Sequence, residues 1–262
     1  MSFSTPGQPP PPPAPAPASG HPALPGRPGW TAAPVPGGPP HRVLRSPQGL
    51  ATALTVMLAA GGLIDLFAVG VGVYGYSVKR GYVADPATAP AVADLDTADL
   101  LSAAAGVFQT LAVIAIAAVF IVWFHRVRCN GEILGPDAFT YRPGWAIGAW
   151  FVPIGNLVLP YLISKQTLQA SVQLGPDGSF RRYSTAPVTA WWLVWVSAEL
   201  VGRVSGRLFF NGDTHEEMQD AYALGVGTDL LRVVAAVLAV AVVRRITALQ
   251  NTKAAEGPYA VV

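Results

Sequence analysis

The sequence predicts an all-α fold, a polytopic bundle of transmembrane helices with a disordered, proline-rich N-terminal arm. Composition is the first observation behind this prediction: 52% of the 262 residues are hydrophobic and 12% are charged, whereas soluble domains carry about 25% charged residues. The second observation is a set of five apolar runs after residue 47. The third is that 16 of the 25 prolines fall within residues 1–47, so the arm and the bundle differ in composition.

Residues 1–46 form the predicted arm, and the five consecutive prolines Pro9–Pro13 are its clearest feature. Proline rings block helix and sheet formation, and a segment with so little apolar surface does not fold alone. We interpret the arm as a solvated cytoplasmic spacer; docking of its polyproline II segments onto an aromatic groove of a cytoplasmic protein partner is the alternative. The rest of the chain divides into a transmembrane domain, residues 47–250, and a short tail, residues 251–262.

Four of the apolar runs are long enough to cross a bilayer, which takes about 20 residues as a helix. The third run in chain order, residues 145–163, differs because Pro153, Asn156 and Pro160 interrupt it. A regular helix there would lose backbone hydrogen bonds, and unwound backbone at membrane depth is tolerated only when it is buried in protein or faces water. This run is therefore either a broken span or a re-entrant or interfacial segment. The four regular runs cover residues 48–76, 100–124, 188–210 and 221–243.

The distribution of Lys and Arg separates these alternatives, because both residues accumulate in cytoplasmic loops. If the third run does not cross, 12 of them lie on the cytoplasmic side and only Lys79 and Arg80 lie outside. If it does cross, the count becomes six inside and eight outside. We therefore predict four spans in the cell membrane with both termini cytoplasmic. Five spans is the alternative, since a proline-broken helix can still cross.

Charged residues inside the spanning runs are expensive, at about 2.5–3.5 kcal/mol each near the helix centre. In the fourth run, Glu199 and two arginines recur every four residues and share one helix face. Ala198, Gly202 and Gly206 form a neighbouring stripe of small residues, a pattern that lets helices approach closely. We expect this face to look into the bundle. The charged residues inside the runs are Asp65, Glu199, Arg203, Arg207, Asp229 and Arg232.

The fourth and fifth runs are joined by a short loop and must be antiparallel, so residues equally far from that loop lie at equal depth. Glu199 then aligns with Arg232, and Arg203 aligns with Asp229 to within about 1.5 Å of helical rise. Asp65 of the first run lies at a similar depth, which completes a predicted intramembrane polar network. A proton or ion relay, or a polar substrate site, is one interpretation. The equal number of acids and bases favours the other, an ion-pair network that fixes helix register.

Other functional classes lack support in the sequence. The lone cysteine, Cys129, excludes an intramolecular disulfide, and the scattered histidines form no metal-binding pattern; we expect no metal and no cofactor. His125 and Cys129 share a helix face but lack a third orienting group, so we interpret them as a helix cap. The basic residues flank apolar runs instead of forming a patch for nucleic acid. Nucleotide-binding, zinc-protease and hydrolase motifs are absent, and we do not predict an enzyme.

Two segments carry a resemblance to known proteins: FIVWFHRVRCN from Phe120 to Asn130, and PGWAIGAWFVPIGNLVLP from Pro143 to Pro160. Together they resemble an actinobacterial family of multi-pass integral membrane proteins known only as a domain of unknown function. The resemblance extends over about residues 100–250 and includes Trp191-Trp192, Gly202-Arg203 and Arg244-Arg245. It implies a membrane location and a shared helical core, and it implies no activity.

The function expected from the sequence is that of a non-enzymatic membrane module that contacts the lipid bilayer and cytoplasmic partners. The alternative is a small transporter or channel that uses the Pro153–Pro160 segment and the intramembrane polar network. Water reaching Asn156 or Glu199 would distinguish a transport path from a dry module. The sequence leaves the substrate and the oligomeric state open.

Overall fold

The computed structural model describes residues 43–84, 92–179 and 181–260. The predicted disordered arm falls almost entirely outside these residues. Every regular element in the described part is helical, apart from one isolated bridge between Leu174 and Tyr259. The helices are α1 Gln48–Ala84, α2 Val92–Leu134, α3 Trp145–Gly148, α4 Leu159–Ser171, α5 Ala186–Asn211 and α6 His215–Glu256, with 3₁₀ turns at Pro136–Ala138 and Gly155–Leu157.

Among the described residues, three helices are long and apolar enough to cross a membrane: α1, α2 and α6. They contain the first, second and fifth predicted runs and extend beyond them, to 37, 43 and 42 residues. The fourth run corresponds to α5, which has 26 residues and whose Glu199, Arg203 and Arg207 lower its hydropathy. The prediction of an all-α chain with membrane-capable helices is therefore confirmed.

The helices α1 and α6 pack closely because glycines remove side chains from their contact. A Cβ on Gly72 would lie 2.7 Å from Val226 Cγ2, nearer than real Cβ atoms approach, and Gly75 lies against the ring of Tyr222. Close approach through small residues is a common source of van der Waals contact between membrane helices. The α1/α6 pair forms the centre of the bundle.

Helix α2 packs against α1. Near the middle of α1, a Cβ on Gly61 would lie 2.8 Å from Ile116 Cδ1. Toward the end of α1, Lys79 Nζ lies 3.4 Å from Asp99 Oδ1, and Tyr222 of α6 donates its hydroxyl to the same oxygen at 3.1 Å. We call this end of the bundle, where α1 ends and α2 and α6 begin, the distal end.

Helix α5 packs against α6 through small side chains. A Cβ on Gly202 would lie 3.1 Å from Thr228 Cγ2, and the Ser205 hydroxyl donates to Ala221 O at 2.9 Å. The predicted small-residue stripe is therefore correct at Gly202. Its third member, Gly206, has no neighbouring atom within 4 Å of its Cβ position, so the contact passes through Ser205 instead.

At the opposite end, which we call the basal end, side-chain hydrogen bonds join four segments. Asn130 of α2 accepts from the backbone N–H of Arg45 at 3.0 Å and donates to its carbonyl oxygen at 2.8 Å. Gln250 of α6 accepts from Asn130 at 3.2 Å, and donates to Ser171 of α4 at 3.2 Å and to Val127 O at 2.8 Å. The start of α1 and the ends of α2, α4 and α6 therefore meet at this end.

Residues 145–158 form the helix break that the prolines predict. Their α-helical part is the four-residue α3, and Ile154 has a φ of 64°, outside the helical region. Pro160 behaves differently from Pro153, because it lies in the first turn of α4, where a missing N–H breaks no hydrogen bond. The break therefore lies around Pro153, and Pro160 begins a new helix.

The stretch formed by the broken segment and α4 contacts the basal end of the bundle at both of its ends. Before it, Tyr141 O accepts a hydrogen bond from Arg128 of α2. After it, Lys253 of α6 donates to Ala170 O at 3.0 Å and to Val172 O at 2.8 Å. The chain enters and leaves this stretch at the same end, and α4 extends over only about 20 Å at the helical rise.

An aromatic cluster fills the space between α2, the broken segment and α5. The ring of Phe120 lies 5.5 Å from that of Trp150 and 5.7 Å from that of Trp191, between centroids. Trp192 is buried beside them and donates through Nε1 to Leu157 O at 3.0 Å. These contacts hold the broken segment against α2 and α5.

Candidate functional site

A groove runs between α2 and α5, which rest on the α1/α6 pair without filling the space between them. Toward the basal end, the rings of Phe120 and Trp191 bring α2 and α5 into contact. Above that contact lie a lower cavity of about 410 Å³ and, toward the distal end, an upper cavity of about 860 Å³. Val113, Glu199 and Arg232 line both cavities, which are therefore two parts of one groove.

The groove opens sideways, at the outer surface of the bundle. Leu111 and Ile114 of α2 line the upper cavity and are 60% and 62% exposed, and Phe210 of α5 is 84% exposed. The lining glycines Gly106 and Gly206 have no neighbouring atom within 4 Å of their Cβ positions. A molecule can therefore reach the groove from the side, between the two helices.

Polar side chains from all four long helices lie on the floor of the groove. Gln109 of α2 donates through Nε2 to Asp65 Oδ1 of α1 at 2.9 Å and to Asp229 Oδ1 of α6 at 2.8 Å. A primary amide nitrogen has two N–H groups, so it can serve both carboxylates. Arg232 Nη1 lies 3.5 Å from Asp229 Oδ1, one turn away along α6. We call these residues, together with Glu199, the polar floor.

Glu199 is the member of the polar floor that α5 supplies. It lines both cavities, and its carboxylate has no hydrogen bond or ion pair with any residue in the described part of the chain. Glu199 is half-buried, and a carboxylate that is partly withdrawn from water without a donor is costly. Glu199 therefore offers an acceptor to a molecule that occupies the groove.

The two predicted ion pairs, Glu199 with Arg232 and Arg203 with Asp229, do not form in the structure. Arg203 is exposed, and Asp229 pairs with Arg232 on its own helix. The equal-depth count is correct, because Gly202 lies beside Thr228 of α6 as that count requires. The predicted direction of the Arg203 side chain is wrong. Because successive residues of a helix are rotated by about 100°, Arg203 points away from the contact that Gly202 makes with α6.

These positions change the charge balance on which the ion-pair interpretation depended. Arg203 and Arg207 are both exposed, and neither lines the groove. The polar floor keeps three carboxylates, on Asp65, Glu199 and Asp229, and one guanidinium, on Arg232. The site is therefore acidic and not balanced.

Gln109, the residue that connects the two aspartates, is not among the site residues predicted from the sequence. The prediction followed the charged side chains, whereas a neutral amide is less expensive to bury than a charge. A signal was present, since Gln109 is the single amide of the second run. A count of residues from the loop between α1 and α2 places Gln109 close to the level of Asp65.

The predicted residues of the broken segment lie outside the groove. Pro153 is exposed, Asn156 is half-buried and Pro160 is buried, and none of them lines the lower or the upper cavity. The backbone N–H of Asn156 donates to Val152 O at 2.9 Å. The structure therefore keeps the three predicted residues out of the groove, and the broken segment lines the lower cavity through Trp150 and Phe151 instead.

The remaining candidates concern thiol and metal chemistry. Cys129 Sγ lies 3.6 Å from His125 Nε2, one turn apart on α2 as their spacing predicts. Within the described ranges, no three His, Cys, Asp or Glu side chains are grouped in a way that could hold a metal ion.

Comparison with known proteins identifies a family relationship. A family model described as Domain of unknown function (DUF4328) matches residues 87–248. The matched region includes the α2, α5 and α6 members of the polar floor and leaves out α1 with Asp65. No curated protein and no solved structure matches the chain.

Proposed function

The chain belongs to the family described as Domain of unknown function (DUF4328), and since that description assigns no activity, we propose a function from the groove. The protein is a non-enzymatic module of the cell membrane that binds a lipid molecule between α2 and α5. The observation that carries this proposal is the groove itself: its walls are mostly apolar, it opens sideways, and its floor is polar between the two cavities. That combination fits an amphiphile that enters from the bilayer.

The polar floor gives the groove a place for a headgroup. Asp229 and Gln109 lie well inside their apolar helices, where water does not satisfy polar groups and each unpaired one is expensive. A headgroup that enters with its chain can supply the missing donors. The apolar walls then take the hydrocarbon, so both parts of the molecule are accommodated.

A topology of four spans with both termini cytoplasmic belongs to the same proposal. The broken segment together with α4 has both ends at the basal end, and α4 has 13 residues, whereas crossing a hydrocarbon core takes about 20. Phe151 and Ile154 are 73% and 81% exposed, as suits a loop that dips into the membrane interface. The distribution of Lys and Arg favours a cytoplasmic basal end.

Cysteine labelling in whole cells tests this topology. In a Cys129→Ser background, we expect Glu216→Cys to react with a membrane-impermeant maleimide in intact cells. Asp177→Cys should react only after the cells are permeabilised, because it lies between α4 and α5 on the cytoplasmic side. Labelling of Asp177→Cys in intact cells would overturn the four-span topology and support five spans.

Photo-crosslinking tests the lipid-binding function. The full chain is reconstituted with a phosphatidylcholine that carries a diazirine in its acyl chain, irradiated, and digested for peptide mapping. We expect crosslinks to concentrate on the groove walls of α2 and α5, and Gly206→Phe to reduce them several-fold by filling the upper cavity. Gly227→Phe is the matched control, because Gly227 also has free space at its Cβ position but does not line the groove. Even labelling of all exposed helix faces, unchanged by Gly206→Phe, would refute the proposal.

A small transporter or channel is the second candidate function. It is favoured by the length of the groove, which runs from Tyr222 near the distal end to Trp150 in the aromatic cluster. Transport across the membrane would require an opening past Trp150 and Trp191. Maleimide access from water to both Glu199→Cys and Asn156→Cys would support a path, whereas access to neither favours the lipid-binding module.

A further inference from the structure

The charges that face the groove indicate which kind of headgroup it accepts. Asp65 and Asp229 both accept from Gln109, and Arg232 lies beside Asp229. Glu199 completes the set without a donor of its own. The groups that face the groove from α1, α2, α5 and α6 therefore comprise more acceptors with negative charge than donors with positive charge.

Other cations lie too far away, or face the wrong way, to neutralise this excess. Arg203 and Arg207 of α5 are exposed and do not line the groove. Lys79 of α1 pairs with Asp99 at the distal end, 3.4 Å from its carboxylate. The excess of negative charge is thus confined to the polar floor, where the two cavities join.

The lower cavity is suited to hydrocarbon. It has a volume of about 410 Å³, and apolar side chains such as Leu58, Ile116 and Ala239 line it between the polar floor and Trp150. On α2, the lining of the lower cavity extends from Val113 to Ile121, which is about 12 Å at the helical rise, and Gln109 of the polar floor lies about 6 Å further toward the distal end. A single alkyl chain can lie along this distance with its head at the polar floor.

We propose that the groove selects amphiphiles with a protonated amine as headgroup, held between the Glu199 and Asp229 carboxylates while the alkyl chain lies in the lower cavity. An ammonium group brings three donors and no acceptor, which matches a floor that is rich in carboxylates. An anionic head would meet one guanidinium already engaged by Asp229 and would be repelled by the three carboxylates. This inference rests on the proposed lipid-binding function and specifies its ligand.

Competition among three single-chain compounds tests the inference. Dodecylamine, dodecanol and dodecanoate share one chain length and differ in the charge of the head. Each is titrated against crosslinking of the diazirine lipid to the reconstituted full chain. We expect dodecylamine to compete at about ten-fold lower concentration than dodecanol, as a charge-assisted hydrogen bond gives, and dodecanoate to be the weakest competitor.

Variants separate headgroup selection from membrane partitioning, because partitioning of the three compounds is the same for every variant. Glu199→Gln should bring dodecylamine to within about three-fold of dodecanol, while Glu216→Gln, which changes an exposed carboxylate outside the groove, should leave the ten-fold preference intact. If Glu199→Gln does not give folded protein, Asp229→Asn, which changes the other carboxylate that holds the amine, is expected to show the same loss of preference.

The outcomes distinguish this inference from the function on which it rests. Equal competition by all three compounds, with crosslinking still sensitive to Gly206→Phe, would overturn amine selection and leave the lipid-binding groove standing. Strongest competition by dodecanoate would also overturn it and identify Arg232 as the headgroup contact. Crosslinking that is insensitive to both Gly206→Phe and the competitors would overturn the proposed function and the inference together.

Discussion

Between α2 and α5, the basal half of the bundle is filled by aromatic rings, whereas the distal half holds a groove. Both halves rest on the same α1/α6 pair, so the central helices do not cause the difference. The residues on the facing sides do: Phe120 and Trp191 touch at the base, while Gly106 and Gly206 face open space above it. Large rings close the gap between two helices, and glycines leave it open.

The polar groups of the two halves differ in the same way. At the basal end, Gln250 is fully buried and bonded to three neighbours, Val127, Asn130 and Ser171. In the groove, Glu199 lacks a bonded neighbour among the described residues. A polar network in which every group is hydrogen-bonded holds helices in one arrangement, whereas a network with unpaired groups beside a cavity can bind a ligand. We infer that the basal half is a rigid support for a site in the distal half.

The largest loss of stability is expected for a substitution in the aromatic cluster. Trp192→Ala removes a side chain that is 5% exposed and bonded to Leu157 O, and we expect it to lower stability by about 3–5 kcal/mol. For a chain of this size that corresponds to a decrease of about 10 °C in Tm, measured by thermal unfolding of the protein in detergent. Trp145→Ala is the control, since Trp145 is 40% exposed and should have little effect. A small change for Trp192→Ala would contradict a rigid basal half.

The second-largest loss of stability is expected when the hydrogen bonds at the basal end are removed. Gln250→Ala leaves buried partners without a hydrogen bond, and we expect a loss of about 2–3 kcal/mol in the free energy of unfolding. Gln169→Ala, an exposed glutamine of α4, should change the same measurement by less than about 0.5 kcal/mol. Equal effects of the two variants would mean that Gln250 does not lock the helices.

A smaller effect is expected at the contact between α1 and α6. Gly72→Leu places a side chain against Val226, where even a Cβ would be 2.7 Å away, and overpacking of this kind typically costs about 1–3 kcal/mol. Gly70→Leu, on the same helix, has open space at its Cβ position and should be neutral. Thermal unfolding of the pair measures the difference, and matching Tm values would show that α1 and α6 do not approach as closely as described.

The smallest effect on stability is expected for a substitution in the polar floor. Its comparison with Gln250→Ala contrasts the polar groups of the two halves directly. Gln109→Leu removes the bonds to Asp65 and Asp229, and polar couplings in membranes average about 0.6 kcal/mol each. We therefore expect a decrease in Tm well below that of Gln250→Ala, together with reduced binding in the competition experiment. A loss of stability as large as that of Gln250→Ala would show that the polar floor is a structural lock and not a binding site.

The positions of the helices follow largely from the sequence, because apolar runs and prolines act locally. All four regular runs became long helices, and the break around Pro153 lies where its ring predicts. Pro160 shows the limit of this reasoning: a proline interrupts a helix in its interior but is accepted in the first turn, and the structure begins α4 at Leu159. The residue at which a helix starts depends on contacts with other segments of the fold. The local sequence carries no information about those contacts.

In the candidate site, the depth of each polar residue follows from its position along the chain. The rise per residue is constant, so a count from a loop gives the level of Glu199, Asp229 and Arg232 in the bundle. The direction in which each side chain faces depends instead on how the helices pack. Gly202 allows α5 to approach α6 closely, that contact fixes the rotation of α5, and the rotation leaves Glu199 in the groove and Arg203 on the outer surface. Rotation about a helix axis depends on packing between distant segments, and for this reason neither the acidic groove nor the place of Gln109 in it could be obtained from local patterns.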